Sequence, residues 1–204
     1  WLNPVSTWAA DASNFICTHN RFITLSEALS RPVNLYATSI EKMIVTLAEL
    51  NEGQDIYDVR TFALYSESIK HNAKLLYQVP LDVFLQHTES IDVSRRRIVY
   101  LHHSYRCGST LFSQMFQDLP GWKVVSENQY LLAMLTREVG DVASFSQTDL
   151  YKKLVVSGIK YHVSQFGDDT SVFIKSTLYD QYAVRVIPDN LPQVEIVYAY
   201  REPL

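Results

Sequence analysis

The chain has 204 residues, 47% of them hydrophobic and 20% charged, with a formal net charge of -4. That length holds one α/β domain and an extension, with enough apolar content for a sizeable core, and the acidic balance excludes a generally basic nucleic-acid-binding chain, so any basic site must be local. Two cysteines, Cys17 and Cys107, argue against a disulfide framework.

From Pro32 to about His87 the pattern predicts helices. Ile40, Met43, Ile44, Leu47 and Leu50 share one helical face, and Asn51-Glu-Gly53 ends it. A second helix is expected from about Tyr57 to Tyr77. Pro80 opens a third, carrying Leu81, Val83, Phe84 and Leu85. These faces read as core that packs on the domain that follows, with the docking of a partner helix as the other use. Residues 1–94 thus form a helical extension ending in the linker Ser90-Ile-Asp-Val-Ser94, and residues 95–204 an α/β domain. Arg95-Arg-Arg97, the only basic run, reads as a solvated strand end rather than a phosphate contact.

Ile98, Val99, Tyr100 and Leu101 form an apolar run suited to a covered strand, and Leu111, Phe112, Met115, Phe116 and Leu119 then recur at helical spacing. Between them lies Ser104-Tyr-Arg-Cys-Gly-Ser-Thr110. Gly108 tolerates backbone angles that other residues resist, and the unpaired N–H groups opening the helix carry the positive end of its dipole. With Arg106 and the hydroxyls of Ser109 and Thr110, this junction suits an anionic phosphate. Further on, strands are expected at 122–127, 171–175 and 194–200, and helices at 129–139, 148–166 and near 179–187. Strands alternating with helices imply right-handed crossovers and a mainly parallel sheet.

The loop lacks the first glycine and the lysine of the nucleotide-triphosphate loop, which makes a nucleotide kinase a poor reading. Arg106-Cys107-Gly108-Ser109-Thr110-Leu111-Phe112 instead resembles, position for position, the 5′-phosphosulfate loop of the sulfotransferases. These use 3′-phosphoadenosine 5′-phosphosulfate (PAPS) as sulfuryl donor. Trp122-Lys-Val-Val-Ser-Glu127 resembles the family's second strand, Val172-Phe-Ile-Lys-Ser-Thr177 a further core strand, and Val194 to Pro203 the strand and Arg-x-Pro start of its 3′-phosphate segment. The resemblance covers about residues 95–204 and implies a P-loop-like α/β fold. It also implies a domain incomplete at its C-terminus, since the family's serine several residues past Arg201 would fall beyond Leu204, which puts the activity of this piece in doubt.

By that resemblance Arg106, Cys107, Gly108, Ser109, Thr110 and Leu111 bind the donor, Arg106 also serves the transfer itself, and Arg201 holds the 3′-phosphate. Glu127, at the carboxyl end of its strand and on the same edge as the loop, is the expected base, with a helix cap as its other role. Lys175 either reaches the phosphosulfate or an acidic substrate group, or runs out to solvent. His102, His103 and His162 read as structural. Trp122 and Tyr130 serve an acceptor cleft or the core. The chemistry requires no metal, and no His/Cys cluster has ligand spacing. The partners expected are the donor and an acceptor of open identity, with no nucleic acid. The alternative is a non-catalytic nucleotide-binding or scaffold protein acting through the N-terminal helices. No apolar stretch is long enough to span a bilayer and no Asn-x-Ser/Thr acceptor occurs, which favours the cytosol. Opening on Trp1 leaves a Golgi lumen enzyme with an upstream segment open.

Overall fold

The computed structural model describes residues 10–61, 64–104, 106–131, 134–177 and 181–201. A short helix, α1 (Leu25–Leu29), starts at Thr24, whose hydroxyl accepts from the Glu27 amide. Strands β1 (Val33–Ser39), β2 (Ile44–Leu50) and β3 (Ala73–Pro80) then pair antiparallel in the order β1-β2-β3. Helix α2 (Tyr65–Asn72) runs directly into β3, and α3 (Leu81–Glu89) leaves it at Pro80.

The N-terminal part is therefore not a helical extension. Where spacing predicts the first helix, the chain forms a hairpin. The first six residues of β1 are all buried, so the strand shows no polar alternation, and Ile40 and Met43 fall in the turn rather than on a helix face. Met43 takes a left-handed φ of 52° and its amide bonds to the Ile40 carbonyl, with no Gly or Asn to announce the turn. The turn is closed from a distance: the Glu138 carboxylate accepts from the amides of Ile40 and Glu41 at 2.7 and 3.0 Å. The helix expected from Tyr57 to Tyr77 shrinks to α2, because residues 73–80 take up the second edge of β2; Phe62 and Ala63 lie outside the described residues. The third helix starts after Pro80 as expected.

In the second half, β4 (Ile98–His103), β5 (Trp122–Ser126), β6 (Ser171–Lys175) and β7 (Val194–Ala199) form an all-parallel sheet in the order β5-β6-β4-β7. Helix α4 (Ser109–Gln117) follows β4, α5 (Val142–Phe145) and α6 (Asp149–Ser164) precede β6, and α7 (Ala183–Asn190) joins β6 to β7. Alternate side chains face opposite ways. Val99, Leu101, Val124 and Phe173 pack with Phe116 of α4, whose ring stacks on Phe173 at 4.1 Å. Ile98, Tyr100, Val172 and Ile174 join Leu154 of α6 and Ile187 of α7 in a core that also holds Leu35 and Leu47 of the antiparallel sheet. Helices thus cover both faces, as a parallel sheet requires, and the fold class is α/β.

The helix expected over 129–139 is reduced to a single wide turn, Met134–Glu138, with Leu132 and Ala133 outside the described residues. Its intended first residues spend their backbone groups elsewhere. The Tyr130 amide donates to Asn128 Oδ1 and the Tyr130 carbonyl accepts from the Thr38 amide of β1, both at 2.8 Å.

A candidate anion site at the carboxyl edge of the parallel sheet

Neighbouring strands β4 and β6 send their connections in opposite directions, β4 toward β5 and β6 toward β7. A crevice outside the carboxyl ends of such a pair is where open α/β sheets bind ligands. The β4–α4 loop lies there. Gly108 caps α4 with φ 86° and brings no side-chain acceptor, so the amides of Ser109 and Thr110 are left to an outside partner. A Cβ built on Gly108 meets nothing within 4 Å. Its left-handed backbone, not crowding, is what calls for glycine, and the space in front of the loop is open. Arg106 is exposed and also left-handed, with φ 58°.

Lys175 closes β6 and its side chain is only 1% exposed. Instead of running to solvent it turns into the crevice, where Nζ donates to Thr110 Oγ1 at 3.3 Å and pairs with Glu127 Oε1. Glu127 follows β5 with a left-handed φ of 49°, and its amide donates to the Lys175 carbonyl at 3.0 Å. Arg106, Glu127 and Met43 are the three non-glycine residues with positive φ among the described residues. Two of them stand at this site. A left-handed non-glycine residue costs about 1–2 kcal/mol, and such strain persists only where surrounding bonds over-determine it.

For Glu127 those bonds come from the next residue. Asn128 is buried; its Oδ1 holds the Tyr130 amide and its Nδ2 donates to Nε2 of His162 on α6. His162 is 3% exposed, its Nδ1 finds no protein partner, and burial pushes its pKa from 6.5 down to about 3. It is therefore a neutral imidazole that accepts, not a proton shuttle. This has a measurable consequence. Between pH 6.5 and about 3 the unfolded chain holds a proton on this side chain that the folded chain refuses. The contribution is thus complete above pH 6.5 and drains away below it, by about 1.4 kcal/mol per pH unit. Urea unfolding at pH 7 and pH 5 should show that slope, and His162→Gln should flatten it.

The remaining expected residues divide clearly. Ser109 is buried and Thr110 exposed at the start of α4, and Cys107 is a half-buried free thiol. Leu111 does not offer its amide, which donates to the Gly108 carbonyl at 2.9 Å. Arg201 is exposed just past β7, on the same edge as the loop, and Pro203 lies outside the described residues. Trp122 opens β5, at the opposite end of the sheet, and packs on Phe116. Tyr130 is buried, its hydroxyl bonded to the Leu154 carbonyl. Trp122 thus stays away from the crevice, whereas Tyr130 lines a cavity together with Asn128, His162 and Lys175. Arg96 of the basic run is buried and ties down the segment after α6 through the Phe166 and Thr170 carbonyls. Both ring nitrogens of His103 face carbonyl oxygens, of Ser104 at 3.2 Å and Ser176 at 3.0 Å. His162, read from sequence as structural, has that role here; its partner Asn128 was missed, with only its adjacency to Glu127 as a signal.

Among the described residues no three His, Cys, Asp or Glu side chains gather as a metal-ligand set, and no helix is long and apolar enough to cross a membrane. Fold and site together define an α/β protein with a four-stranded parallel sheet and a hydroxyl-lined, lysine-bearing crevice at its switch point. No protein-family model matches the chain, and neither a curated protein nor a solved structure does.

Proposed function

We propose that the protein transfers a sulfuryl group from PAPS to a hydroxyl or amine acceptor. One observation carries the reading: the loop from Arg106 to Thr110, the buried Lys175 and the carboxylate of Glu127 converge on one crevice although they come from three separate strands. A buried ammonium beside a helix N-terminus suits a polyanion, and an exposed arginine adds a second cation. The loop residues therefore fit a 5′-phosphosulfate, and Arg201 stands on the right edge for the 3′-phosphate.

In such a transfer the acceptor's oxygen or nitrogen attacks sulfur as the bond from sulfur to the donor phosphate's oxygen breaks. Glu127 takes the acceptor's proton. Arg106, Lys175, the Thr110 hydroxyl and the first amides of α4 meet the negative charge that stays on the leaving phosphate. The scaffold alternative is the less favoured reading, because much of the segment read as helical is an antiparallel sheet whose apolar residues join the shared core.

Calorimetric titration with 3′-phosphoadenosine 5′-phosphate, AMP and ATP tests the reading. Binding should require the 3′-phosphate, and Arg106→Ala should weaken it by about tenfold or more, the worth of one charge-assisted hydrogen bond. Equal binding of ATP, or no binding of any of the three, would sink it.

A further inference from the structure

We propose that Lys175 and Glu127 form a latch that holds the base idle until the donor anion arrives. The inference rests on the sulfotransferase reading for the identity of that anion. The Lys175 ammonium has three protons to give, and it sits between two acceptors of different kinds. One is the Thr110 hydroxyl, part of the loop that faces the anion; the other is the Glu127 carboxylate. While Oε1 of Glu127 holds the buried ammonium, that oxygen is occupied and does not reach toward an acceptor's hydroxyl or amine. A phosphate on the loop arrives beside Thr110 and competes for the same ammonium. As Lys175 turns to it, Glu127 is released.

Backbone geometry lets the side chains exchange partners without the strands moving. Ser126 of β5 is in register with Lys175 of β6, and the Glu127 amide is bonded to the Lys175 carbonyl, so both residues stay adjacent whichever acceptor the ammonium chooses. Two groups competing for one cation are negatively coupled, and the coupling is reciprocal. Glu127 must therefore weaken anion binding even though it lines the site. The order of events also follows: the base is free for an acceptor only after the donor is seated.

The test is a titration of the full chain with 3′-phosphoadenosine 5′-phosphate and, separately, with inorganic phosphate, in low-salt buffer. Glu127→Gln should bind both several-fold to tenfold more tightly than the native protein. Glu127→Asp, whose shorter carboxylate holds the ammonium less well, should fall between them and carries the comparison should the glutamine variant fail to fold. In a Lys175→Met background, changing Glu127 should no longer alter the affinity. Equal or weaker binding by both Glu127 variants, with the native protein still binding, would overturn the latch and leave the sulfotransferase reading standing. No binding of 3′-phosphoadenosine 5′-phosphate by the native protein would overturn both.

Discussion

In buffer free of polyvalent anions, Glu127→Gln should lower the unfolding free energy by about 3–5 kcal/mol, whereas Lys175→Met should cost well under half of that. The asymmetry comes from where each charge sits. The Lys175 side chain is 1% exposed and that of Glu127 is 20% exposed. Taking away the carboxylate strands a cation where water cannot reach it. Taking away the ammonium leaves a carboxylate that still touches solvent, and methionine fills the vacated space with apolar atoms of similar length. The double variant, with no charge left to desolvate, should recover most of the loss. Urea unfolding of the four proteins decides this. Added phosphate should stabilise Glu127→Gln more than the native chain, because only in the variant does the anion supply a missing counter-charge. Equal costs for the two single variants would mean that Lys175 is hydrated in solution and that the buried pair is not the fixed centre of the site.

The second half of the chain was legible because its signals are local. Apolar runs at 98–101 and 171–175 announce covered strands, and Gly108 between a strand and a helical pattern announces the turn at which an anion site forms. The antiparallel sheet was hidden for the opposite reason. Its first strand is buried on both faces and so loses its alternation, and its turn, Ile40-Glu-Lys-Met43, is made of good helix formers and held by Glu138 from 98 positions away. A bond of that reach leaves no local trace, so propensity and spacing pointed to helix while tertiary pairing decided for strand. At the site the same division holds. Arg106, Gly108 and Thr110 are adjacent in sequence and could be read together. Lys175 could be placed at a strand end with its direction, inward or to solvent, left open, because that direction depends on Thr110 and Glu127, which only the strand order brings beside it.

The support beneath Glu127 can be tested one turn before His162 on the same face of α6, where Gly158→Ala should destabilise the protein by about 2–4 kcal/mol. A Cβ at Gly158 would lie 2.1 Å from the Tyr130 hydroxyl oxygen and 2.3 Å from Cζ. The ring has little room to yield. Its hydroxyl donates to the Leu154 carbonyl at 2.6 Å, and its main chain is held by Asn128 Oδ1 on one side and the Thr38 amide on the other. Overpacking of this kind costs about 1–3 kcal/mol, and a buried hydroxyl forced off its acceptor about as much again. Against these, alanine in a helix interior returns only about 1 kcal/mol over glycine. Tyr130→Leu should rescue the variant, and a double-mutant cycle on thermal or urea unfolding should give a coupling above 1 kcal/mol, as expected for side chains in contact. The same displacement should travel outward. Moving Tyr130 pulls on Asn128, Asn128 fixes the left-handed turn at Glu127, and Glu127 holds Lys175. Gly158→Ala should therefore alter the affinity for 3′-phosphoadenosine 5′-phosphate although Gly158 lies on α6, outside the β4–α4 loop, and Tyr130→Leu should restore it. Stability lost without any change in that affinity would show that the Asn128–His162 pair anchors Glu127 independently of Tyr130.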